Sequence, residues 1–479
     1  MITAIQEIEA LCNNYSNEKI TGIDRLPQSG GDRVYFRVHT AGETFIATYS
    51  DNIKENETFL YFTKHFKETG SPVPNVLAVN KEGTAYLQED LGTASLLSKV
   101  EQEGYTEHVR SLYKKTLHAL AQLQVSGNEG LDYDRCITSK VFGAQAILSD
   151  LLYFKYYFLD TLKIPYDKEK LITDLELLSA YLGDAQHRHF MFRDFQSRNV
   201  MIKNDEPFFI DYQGGMKGAL QYDVASLLWQ AKANLPDEWK NELLEYYITC
   251  AEKELGETID HEIFVKQYNG FVLIRLLQVL GAYGFRGLFE RKAHFLTSIP
   301  LALQNLKWFL QNKIVGLNAP ELQRVLNLIT TEEVIQRFVP VRATSETPLI
   351  VKIKSFSFLK TGYPESVSHN GGGYVFDCRG ILNPGRMEEH KTQTGRDKPV
   401  QDYLTGKTRM DEFLAGVYSV VDISVEDYIK RNFESLEVNF GCTGGQHRSV
   451  YAADALSRHL KNKYGVRTEV KHLEQNFSE

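Results

Sequence analysis

Two aspartates and one asparagine form the most informative pattern in the sequence. Asp194 and Asn199 lie five positions apart in the segment FRDFQSRNVMI (192–202), and Asp211 follows at the end of the apolar run FFID. Phosphoryl transfer to a hydroxyl group needs a carboxylate that receives the hydroxyl proton and oxygen ligands that hold Mg²⁺ against the nucleotide phosphates. An Asp and an Asn on a loop that enters a strand, with a second Asp closing the next strand, can supply these groups. The spacing predicts Asp194 as the base, with Asn199 and Asp211 as metal ligands.

The segment 192–202 resembles the catalytic loop of the aminoglycoside-phosphotransferase and choline-kinase superfamily, and more narrowly that of the AmgK-type anomeric sugar kinases. Their loop reads His-Arg-Asp-Tyr-His-Ser-Arg-Asn. Phe192, Phe195 and Gln196 depart from this pattern, whereas the acid–base and metal positions keep it. The resemblance covers roughly residues 20 to 310. It implies a protein-kinase-like fold of two lobes and an ATP- and Mg²⁺-dependent kinase of a small molecule.

The same resemblance assigns further positions. The segment QYDVASLL (221–228) is similar to a helix start of the superfamily, which implies that Asp223, together with Arg193, supports the catalytic loop. The segment QEDLG (88–92) resembles the hinge between the lobes, where the backbone around Glu89 and Leu91 would hold the adenine. Residues that select the acceptor are expected in the helical lobe, roughly between Asp132 and Tyr181.

A glycine-containing segment near the N-terminus, QSGGDRVYFRV (28–38), lies between two strand-like runs. By itself such a segment is typical of a plain hairpin. Because the Asp–Asn–Asp set follows downstream, we interpret it as a loop that covers nucleotide phosphates. The nucleotide-binding residues predicted here are Ser29, Gly30, Gly31 and Arg33.

One expected kinase residue is missing from the next strand-like run, TFIATY (44–49). Many kinases place a lysine there to hold the α- and β-phosphates, and AmgK-type kinases lack it too. Arg33, Arg37 or Lys54 could supply the charge, and the spacing does not choose among them.

A second glycine-rich turn, FGCTGGQHRSVY (440–451), leaves a strand-like run and enters a predicted helix. Backbone N–H groups at a helix N-terminus bind anions, and an arginine adds a bidentate contact to phosphate or carboxylate. Cys442 and Arg448 also have the spacing of a phosphatase loop, in which a thiolate attacks phosphate. No acid is clearly placed to protonate a leaving group, and a buried, inert Cys442 is the other interpretation. The predicted anion site consists of Cys442, Thr443, Gly444, Gly445, His447, Arg448 and Ser449.

This second turn closely resembles the signature Gly-Cys-Thr-Gly-Gly-Lys-His-Arg-Ser-Val-Tyr of the RapZ C-terminal domain. The segments IKSFSF (353–358), YVFDCR (374–379) and TGRDKPV (394–400) agree with that family in order. The resemblance implies a pocket for an amino-sugar phosphate. Gln446 replaces the family's lysine, Gly385 stands where RapZ has a histidine, and the chain end KHLEQNFSE lacks a basic run. We therefore expect metabolite binding rather than RNA binding.

The secondary-structure pattern predicts two domains. Alternating strand-like and helical runs up to about residue 90 indicate a small lobe, and mostly helical spacing follows from about 91 to 330. The polar stretch 331–348, with two prolines, is typical of a linker. Strand-like and helical runs beyond it indicate a small α/β layered domain over 349–479. The predicted fold is thus an α+β, kinase-like bilobal domain followed by an α/β domain.

Bulk properties agree with a globular protein of 479 residues. Hydrophobic residues make up 43% and charged residues 24%, close to globular averages. The apolar stretch 271–285 carries Arg275 and Gln278 and is shorter than the about 20 residues that a membrane span needs, so it predicts a buried helix. The N-terminus shows no signal-peptide pattern, and the five cysteines form no Cys-x-x-Cys pair. We expect a cytoplasmic protein without a disulfide framework or zinc site.

The leading hypothesis is a kinase that phosphorylates the anomeric hydroxyl of an N-acetylated amino sugar and carries a sugar-phosphate or anion pocket in its second domain. Choline-like or aminoglycoside alcohols remain open as acceptors. The alternative is a regulatory protein in which an inactive kinase fold and the second domain sense a metabolite or hold an RNA.

Overall fold

The computed structural model describes residues 2–16, 18–27, 33–290, 292–365, 373–475 and 477–478. The chain forms two compact units, residues 1–338 and 339–479. The first has the kinase-like two-lobed architecture and the second is an α/β layer, so the predicted fold class is confirmed.

The small lobe of the first unit is a five-stranded antiparallel sheet with two helices. Its strands pair in the order β1-β2-β3-β5-β4. Phe36 and Val38 alternate with more exposed residues of β2, as expected of a half-buried strand, and with Ala47 and Leu87 they pack against α1. The strands are β1 (Gly22–Arg25), β2 (Val34–His39), β3 (Thr44–Tyr49), β4 (Val76–Val79) and β5 (Ala85–Glu89), and the helices are α1 (Ile2–Tyr15) and α2 (Ile53–Glu68).

The large lobe is mostly helical and contains two short hairpin-like strand pairs. The helices are α3 (Leu96–Glu103), α4 (Glu107–Val125), α5 (Ala144–Phe154), α6 (Lys168–Gly183), α7 (Leu220–Leu228), α8 (Asp237–Leu255), α9 (His261–Tyr283), α10 (Ala293–Leu296), α11 (Ile299–Asn312), α12 (Pro320–Ile329) and α13 (Glu332–Gln336). The strand β6 (Arg188–Met191) pairs with β9 (Met216–Ala219), and β7 (Val200–Lys203) pairs with β8 (Glu206–Phe209). These strands flank the predicted catalytic loop.

The helix α9 is the central helix of this lobe. Among the described residues, the helical segment 261–289 is the one long and apolar enough to cross a membrane, and 61% of its most apolar window is buried inside the protein. Phe271, Ile274 and Leu277 are buried in the lobe's core. The prediction of a buried helix over 271–285 agrees with this packing, and a π-helical turn (Gly284–Phe289) follows the helix.

Part of the predicted linker 331–348 belongs to the first unit. The helix α13 occupies 332–336, and its Val334 and Ile335 are buried in the large-lobe core. Two apolar side chains in an otherwise polar stretch are enough to dock one helical turn, which the polar composition concealed. The division between the two units falls after Phe338.

The second unit contains a five-stranded sheet in the order β11-β12-β10-β13-β14. The first four strands in this order are parallel, and β14 is antiparallel to β13. The interior strand β12 is buried along nearly its whole length, as in parallel sheets covered by helices. The strands are β10 (Ile350–Ser357), β11 (Gly373–Asp377), β12 (Ser435–Cys442), β13 (Arg467–His472) and β14 (Phe477–Ser478), and the helices are α14 (Lys398–Lys407), α15 (Met410–Lys430) and α16 (Arg448–Tyr464).

Candidate active site

The predicted catalytic loop connects β6 to β7 and presents Asp194 to solvent. The Asp194 side chain is 53% exposed, although Phe192 and Phe195 on either side of it are buried. Arg193 has a φ of 80°, a left-handed conformation that costs energy for a residue with a side chain. Such a backbone conformation persists only when surrounding contacts stabilise it, so another residue must bind this loop.

That residue is Asp223, at the start of α7. Its carboxylate is completely buried and accepts hydrogen bonds from the backbone N–H groups of Phe192 (2.8 Å) and Arg193 (3.1 Å) and from the side chain of Gln124 (3.0 Å). Burial raises the pKa of Asp223 to about 7, and these hydrogen bonds offset part of the rise. Asp223 therefore stabilises the strained turn through hydrogen bonds from the loop's backbone N–H groups to its carboxylate. Arg193 binds Asp150 of α5 at 2.8 Å.

Phe192, the departure from the family pattern, is part of an aromatic cluster. Its ring lies 5.0 Å from Phe195, 5.7 Å from Phe209 and 5.8 Å from both Phe190 and Tyr212, centroid to centroid. These edge-to-face contacts support the loop by packing, as is usual for aromatic pairs. The side chain at this position points into the core, away from the reacting groups.

The two predicted metal ligands meet at the end of the catalytic loop. The Asn199 side chain donates to the Asp194 backbone carbonyl (3.0 Å) and to the Asp211 carboxylate (3.3 Å). Asp211 follows β8 with a φ of 67°, and its carboxylate also accepts from Gln213 at 2.8 Å. Burial raises the pKa of Asp211, and the neighbouring Arg33 guanidinium counteracts this effect. The three predicted residues are therefore adjacent in space.

The donor set at this point fits Mg²⁺. A carboxylate and an amide oxygen are the hard oxygen ligands that this ion prefers, and the ion usually takes its other ligands from substrate phosphates and water. Within the described parts of the chain, no group of three or more His, Cys, Asp or Glu residues could hold a metal ion. Asn199 and Asp211 would thus hold a metal ion together with nucleotide phosphates.

A cavity of about 210 Å³ lies between the lobes and contains this pair. Its wall includes Arg33, Glu89 and Leu91 of the predicted nucleotide residues, together with both metal ligands. The two carboxylates of the predicted hinge bind basic side chains. Glu89 accepts a hydrogen bond from Lys203 at 2.9 Å, and Asp90 accepts one from Arg37 at 2.7 Å. Both carboxylates are thus engaged by side chains of the protein itself. The predicted Ser29, Gly30 and Gly31 lie outside the described residues.

The structure distinguishes the three cations that the sequence left open. The Arg33 guanidinium is 93% buried and lies 3.0 Å from Glu55 of α2 and 3.2 Å from Asp211. Arg37 pairs with Asp90 instead, and the Lys54 ammonium donates to the carbonyl of Ile137 at 2.9 Å. Arg33 therefore occupies the place between a helix glutamate and the metal aspartate that a strand lysine has in many kinases.

Three contributors were missed from the sequence. Glu55 and Gln213 contact Arg33 and Asp211, and no local signal marks them because each is one polar residue among many. Arg275 of α9 lies 3.7 Å from Asp194. A charged residue in an otherwise apolar buried helix is unusual, so the sequence did contain a signal for Arg275.

The glycine-rich turn of the second unit leaves β12 and enters α16, as predicted. Thr443 and Gly444 are exposed, and Gly445 has a φ of 70°. The Cys442 thiol is buried, accepts from the Gly445 N–H at 3.2 Å and lies 3.1 Å from the Ser449 hydroxyl. This buried position agrees better with a structural thiol than with a nucleophile, which needs access to its substrate.

Two basic residues of the turn are engaged by the protein itself. His447 lies 2.9 Å from the carbonyl of His390. The Arg448 guanidinium is buried; its Nη1 atom donates to the carbonyls of Cys378, Arg379 and Ile381 and its Nη2 atom to the Thr443 hydroxyl. These hydrogen bonds occupy Nη1 and one N–H of Nη2, whereas the buried Nε–H has no hydrogen-bond partner among the described residues. Arg448 therefore secures the turn in this structure.

Comparisons with known proteins match the two units separately. Residues 23–257 match the family described as Phosphotransferase enzyme family, and residues 349–476 match the RapZ C-terminal domain. A nucleotide-binding protein of Shewanella halifaxensis is 35% identical over 127 residues, 26% of this chain and 42% of the relative. One of Neisseria gonorrhoeae is 39% identical over 118 residues, 25% of this chain and 39% of the relative. The chain thus spans about two-fifths of the length of these curated relatives.

Two solved structures show similarity to about two-thirds of the chain. The choline kinase LicA from Streptococcus pneumoniae is 13% identical, with a TM-score of 0.43 over 64% of this chain and 99% of that one. The amicoumacin kinase hAmiN, in complex with AMP-PNP, Ca²⁺ and Ami, is 12% identical, with a TM-score of 0.48 over 67% of this chain and 96% of that one. By these matches, residues 23–257 are similar to the phosphotransferase family and residues 349–476 to the RapZ C-terminal domain.

Proposed function

We propose that the first unit is an ATP- and Mg²⁺-dependent kinase that phosphorylates the anomeric hydroxyl of an N-acetylated amino sugar. The observation that carries the proposal is the convergence of Asn199, Asp211 and Arg33 at the wall of the cavity between the lobes, with Asn199 bonded to the backbone carbonyl of Asp194. These residues come from the catalytic loop, the end of β8 and the start of β2, and together they would supply a base, metal ligands and a cation for phosphates.

In this reaction Asp194 accepts the proton of the acceptor hydroxyl as its oxygen bonds to the γ-phosphorus. The bond between that phosphorus and the β–γ bridging oxygen breaks, and ADP leaves. A bound Mg²⁺ would neutralise charge on the phosphate oxygens, held by Asn199 and Asp211. Arg33 is placed to exchange a carboxylate contact for a phosphate oxygen, which stabilises the charge that develops on the leaving group.

Phe192 in the catalytic loop and the missing strand lysine are the two departures that would suggest an inactive kinase fold, and the contacts described above weaken both arguments. Phe192 packs into an aromatic cluster, where it buttresses the loop without needing to react. Arg33 offers the positive charge that the strand lysine would otherwise provide. The choice of an amino sugar as the acceptor rests on the resemblance to AmgK-type kinases and on the neighbouring RapZ-like domain.

Phosphorus NMR tests the reaction directly. The full-length protein is incubated with Mg-ATP and N-acetylglucosamine or N-acetylmuramic acid, and we expect a new sugar 1-phosphate resonance. Asp194→Asn should abolish it, whereas Asp205→Asn, the same change at an exposed aspartate in the β7–β8 turn, should preserve it. Intact ATP binding without transfer to any acceptor would favour the regulatory alternative.

We further propose that the second unit binds a sugar phosphate or a similar anion at the turn 443–449. Support comes from the exposed Thr443 and Gly444 at the start of α16, where backbone N–H groups and the helix dipole favour an anion. A Cβ atom at Gly444 would meet no atom within 4 Å, so a charged or a neutral side chain can be introduced there without a clash. Gly444→Asp should weaken binding of glucosamine 6-phosphate in calorimetry much more than the isosteric Gly444→Asn does. Equal affinity in both variants would place the ligand elsewhere.

A further inference from the structure

A buried arginine lies beside the catalytic carboxylate on the large-lobe side. Arg275 is in the middle of α9 and is 6% exposed. Its Nη1 atom lies 3.7 Å from the Asp194 carboxylate, and it also donates to the Gln278 side chain and to the Tyr222 hydroxyl (3.5 Å). The guanidinium carbon is 5.6 Å from the centre of the Tyr222 ring. These contacts hold one fixed positive charge next to the residue that receives the acceptor's proton.

Desolvating an arginine is costly unless the charge is paired. Arg275 is one of the buried polar residues of α9, with Gln267 and Asn269, among apolar side chains such as Ile274 and Leu277. Asp194, its ion-pair partner, is half exposed and belongs to a loop held by other residues. The positive charge of Arg275 also opposes the rise that burial gives to the pKa of Asp223. Its place 3.7 Å from the half-exposed Asp194 puts the same charge beside the space that a substrate would enter.

The charges around Asp194 do not favour a cation. Arg193 and Asp150 pair with each other at 2.8 Å and cancel, and Arg275 compensates Asp194. Arg198, exposed on the same loop, adds a further positive charge. Near the end of α9, Arg198 and Arg275 both lower the pKa of Tyr283, although burial gives a net rise. Both guanidinium groups therefore lie within electrostatic range of Tyr283.

We propose that Arg275 is the specificity-determining residue of the acceptor site and that it rejects alcohols carrying a positive charge near the reacting hydroxyl. This inference rests on the proposed kinase function and narrows its acceptors to neutral or anionic polyols. An ammonium group bound next to Asp194 would meet the guanidinium at short range in a partly desolvated site, where like charges repel strongly. Arg275 lies outside the stretch 132–181 in which the sequence led us to expect acceptor-selecting residues.

The test compares acceptors that differ in charge. Wild-type protein, Arg275→Gln and Arg275→Lys are assayed with N-acetylglucosamine (neutral), N-acetylmuramic acid (anionic), and choline and kanamycin (cationic). The matched control is Arg286→Gln, which removes a half-buried arginine paired with Glu290 on the turn after α9. For each protein, kcat/KM and calorimetric affinity in the presence of AMP-PNP and Mg²⁺ are measured for every acceptor.

We expect the wild-type protein to prefer the neutral and anionic acceptors over the cationic ones by about 100-fold or more, the range that close like-charge contacts produce. Arg275→Gln should reduce this ratio at least about tenfold, because the repulsive charge is gone. Arg275→Lys and Arg286→Gln should leave the ratio near its wild-type value. A merely structural role for Arg275 would lower kcat/KM for all acceptors by the same factor, and this result would overturn the proposal.

The experiment separates failure of this inference from failure of the kinase function. Efficient wild-type phosphorylation of choline or kanamycin would overturn the inference while the kinase function stands. If no acceptor is phosphorylated, the kinase proposal fails. The calorimetric affinities of the acceptors then decide whether Arg275 excludes cationic alcohols. Sugar binding with exclusion of cations, relaxed in Arg275→Gln, would support the charge selection, whereas equal binding of both classes would refute it.

Discussion

Replacing Arg33 by methionine tests which cation serves the nucleotide phosphates. Methionine keeps much of the side-chain volume and removes the charge, so the contacts to Glu55 (3.0 Å) and Asp211 (3.2 Å) disappear. We expect a large loss of phosphoryl transfer because both the phosphate contact and the position of Asp211 depend on this group. Arg33→Lys should retain part of the activity, since it keeps the charge but not the two-pronged geometry.

The size of the effect follows from the number of charged contacts at stake. A hydrogen bond to a charged group contributes about 1.5 to 3 kcal/mol, and Arg33 is placed to give at least one such bond to a phosphate in the transition state. A loss of about 2 to 3 kcal/mol corresponds to a decrease of about 30- to 160-fold in kcat/KM for ATP. A loss realised only in the transition state lowers kcat and kcat/KM equally, whereas lost ground-state binding raises KM.

The assay is a coupled ADP-release measurement at varied ATP concentration, with Lys54→Met as the matched control. Lys54 carries the same charge on the same side of the small lobe but binds the carbonyl of Ile137, so its loss should change kcat/KM less than about threefold. Circular dichroism checks that both variants are folded. Near wild-type activity of Arg33→Met, or a larger loss in Lys54→Met, would refute the assignment of Arg33.

Three further predictions concern Asp223, Arg448 and the metal. Because burial raises the pKa of Asp223 to about 7, its contribution favours folding below pH about 4 and is lost as the pH rises through 7. Asp223→Asn should flatten this decline in urea unfolding followed by tryptophan fluorescence; all three tryptophans lie in the first unit, and an unchanged slope would contradict the prediction. Arg448→Met removes a donor from the carbonyls of Cys378, Arg379 and Ile381, of which, among the described residues, only that of Cys378 still accepts from the Ile381 N–H, and should lower the opening free energy of the second unit, measured by hydrogen exchange, by about 2 to 3 kcal/mol. The exposed Arg458→Met on the same helix is its control, and equal effects would argue against the role of Arg448. Chelation of divalent cations should abolish phosphoryl transfer reversibly, and Asp211→Asn should raise the Mg²⁺ concentration for half-maximal rate; transfer in excess EDTA would refute the metal assignment.

The local patterns of the sequence determined the elements and the order of the reacting groups. The runs at 350–358 and 436–440 alternate and end as strands do, and the structure places β10 and β12 there. Asp194, Asn199 and Asp211 could be identified because a loop, a short strand pair and their spacing are local features. The helix α13 was missed because two buried apolar residues are too few to produce a periodic signal.

Other features were decided only by tertiary packing. Arg33, Arg37 and Lys54 are equivalent as charges in the sequence, and their partners Asp211, Asp90 and the Ile137 carbonyl come from distant parts of the chain. Arg275 lies beside Asp194, which is 81 positions away in the sequence. Arg448 donates hydrogen bonds to carbonyls of residues about 70 positions away. Composition and spacing report what a side chain can do, because propensity and periodicity act over a few residues. Which partner a charge finds depends on how helices and strands pack, and this is set by the burial of apolar surface over the whole unit.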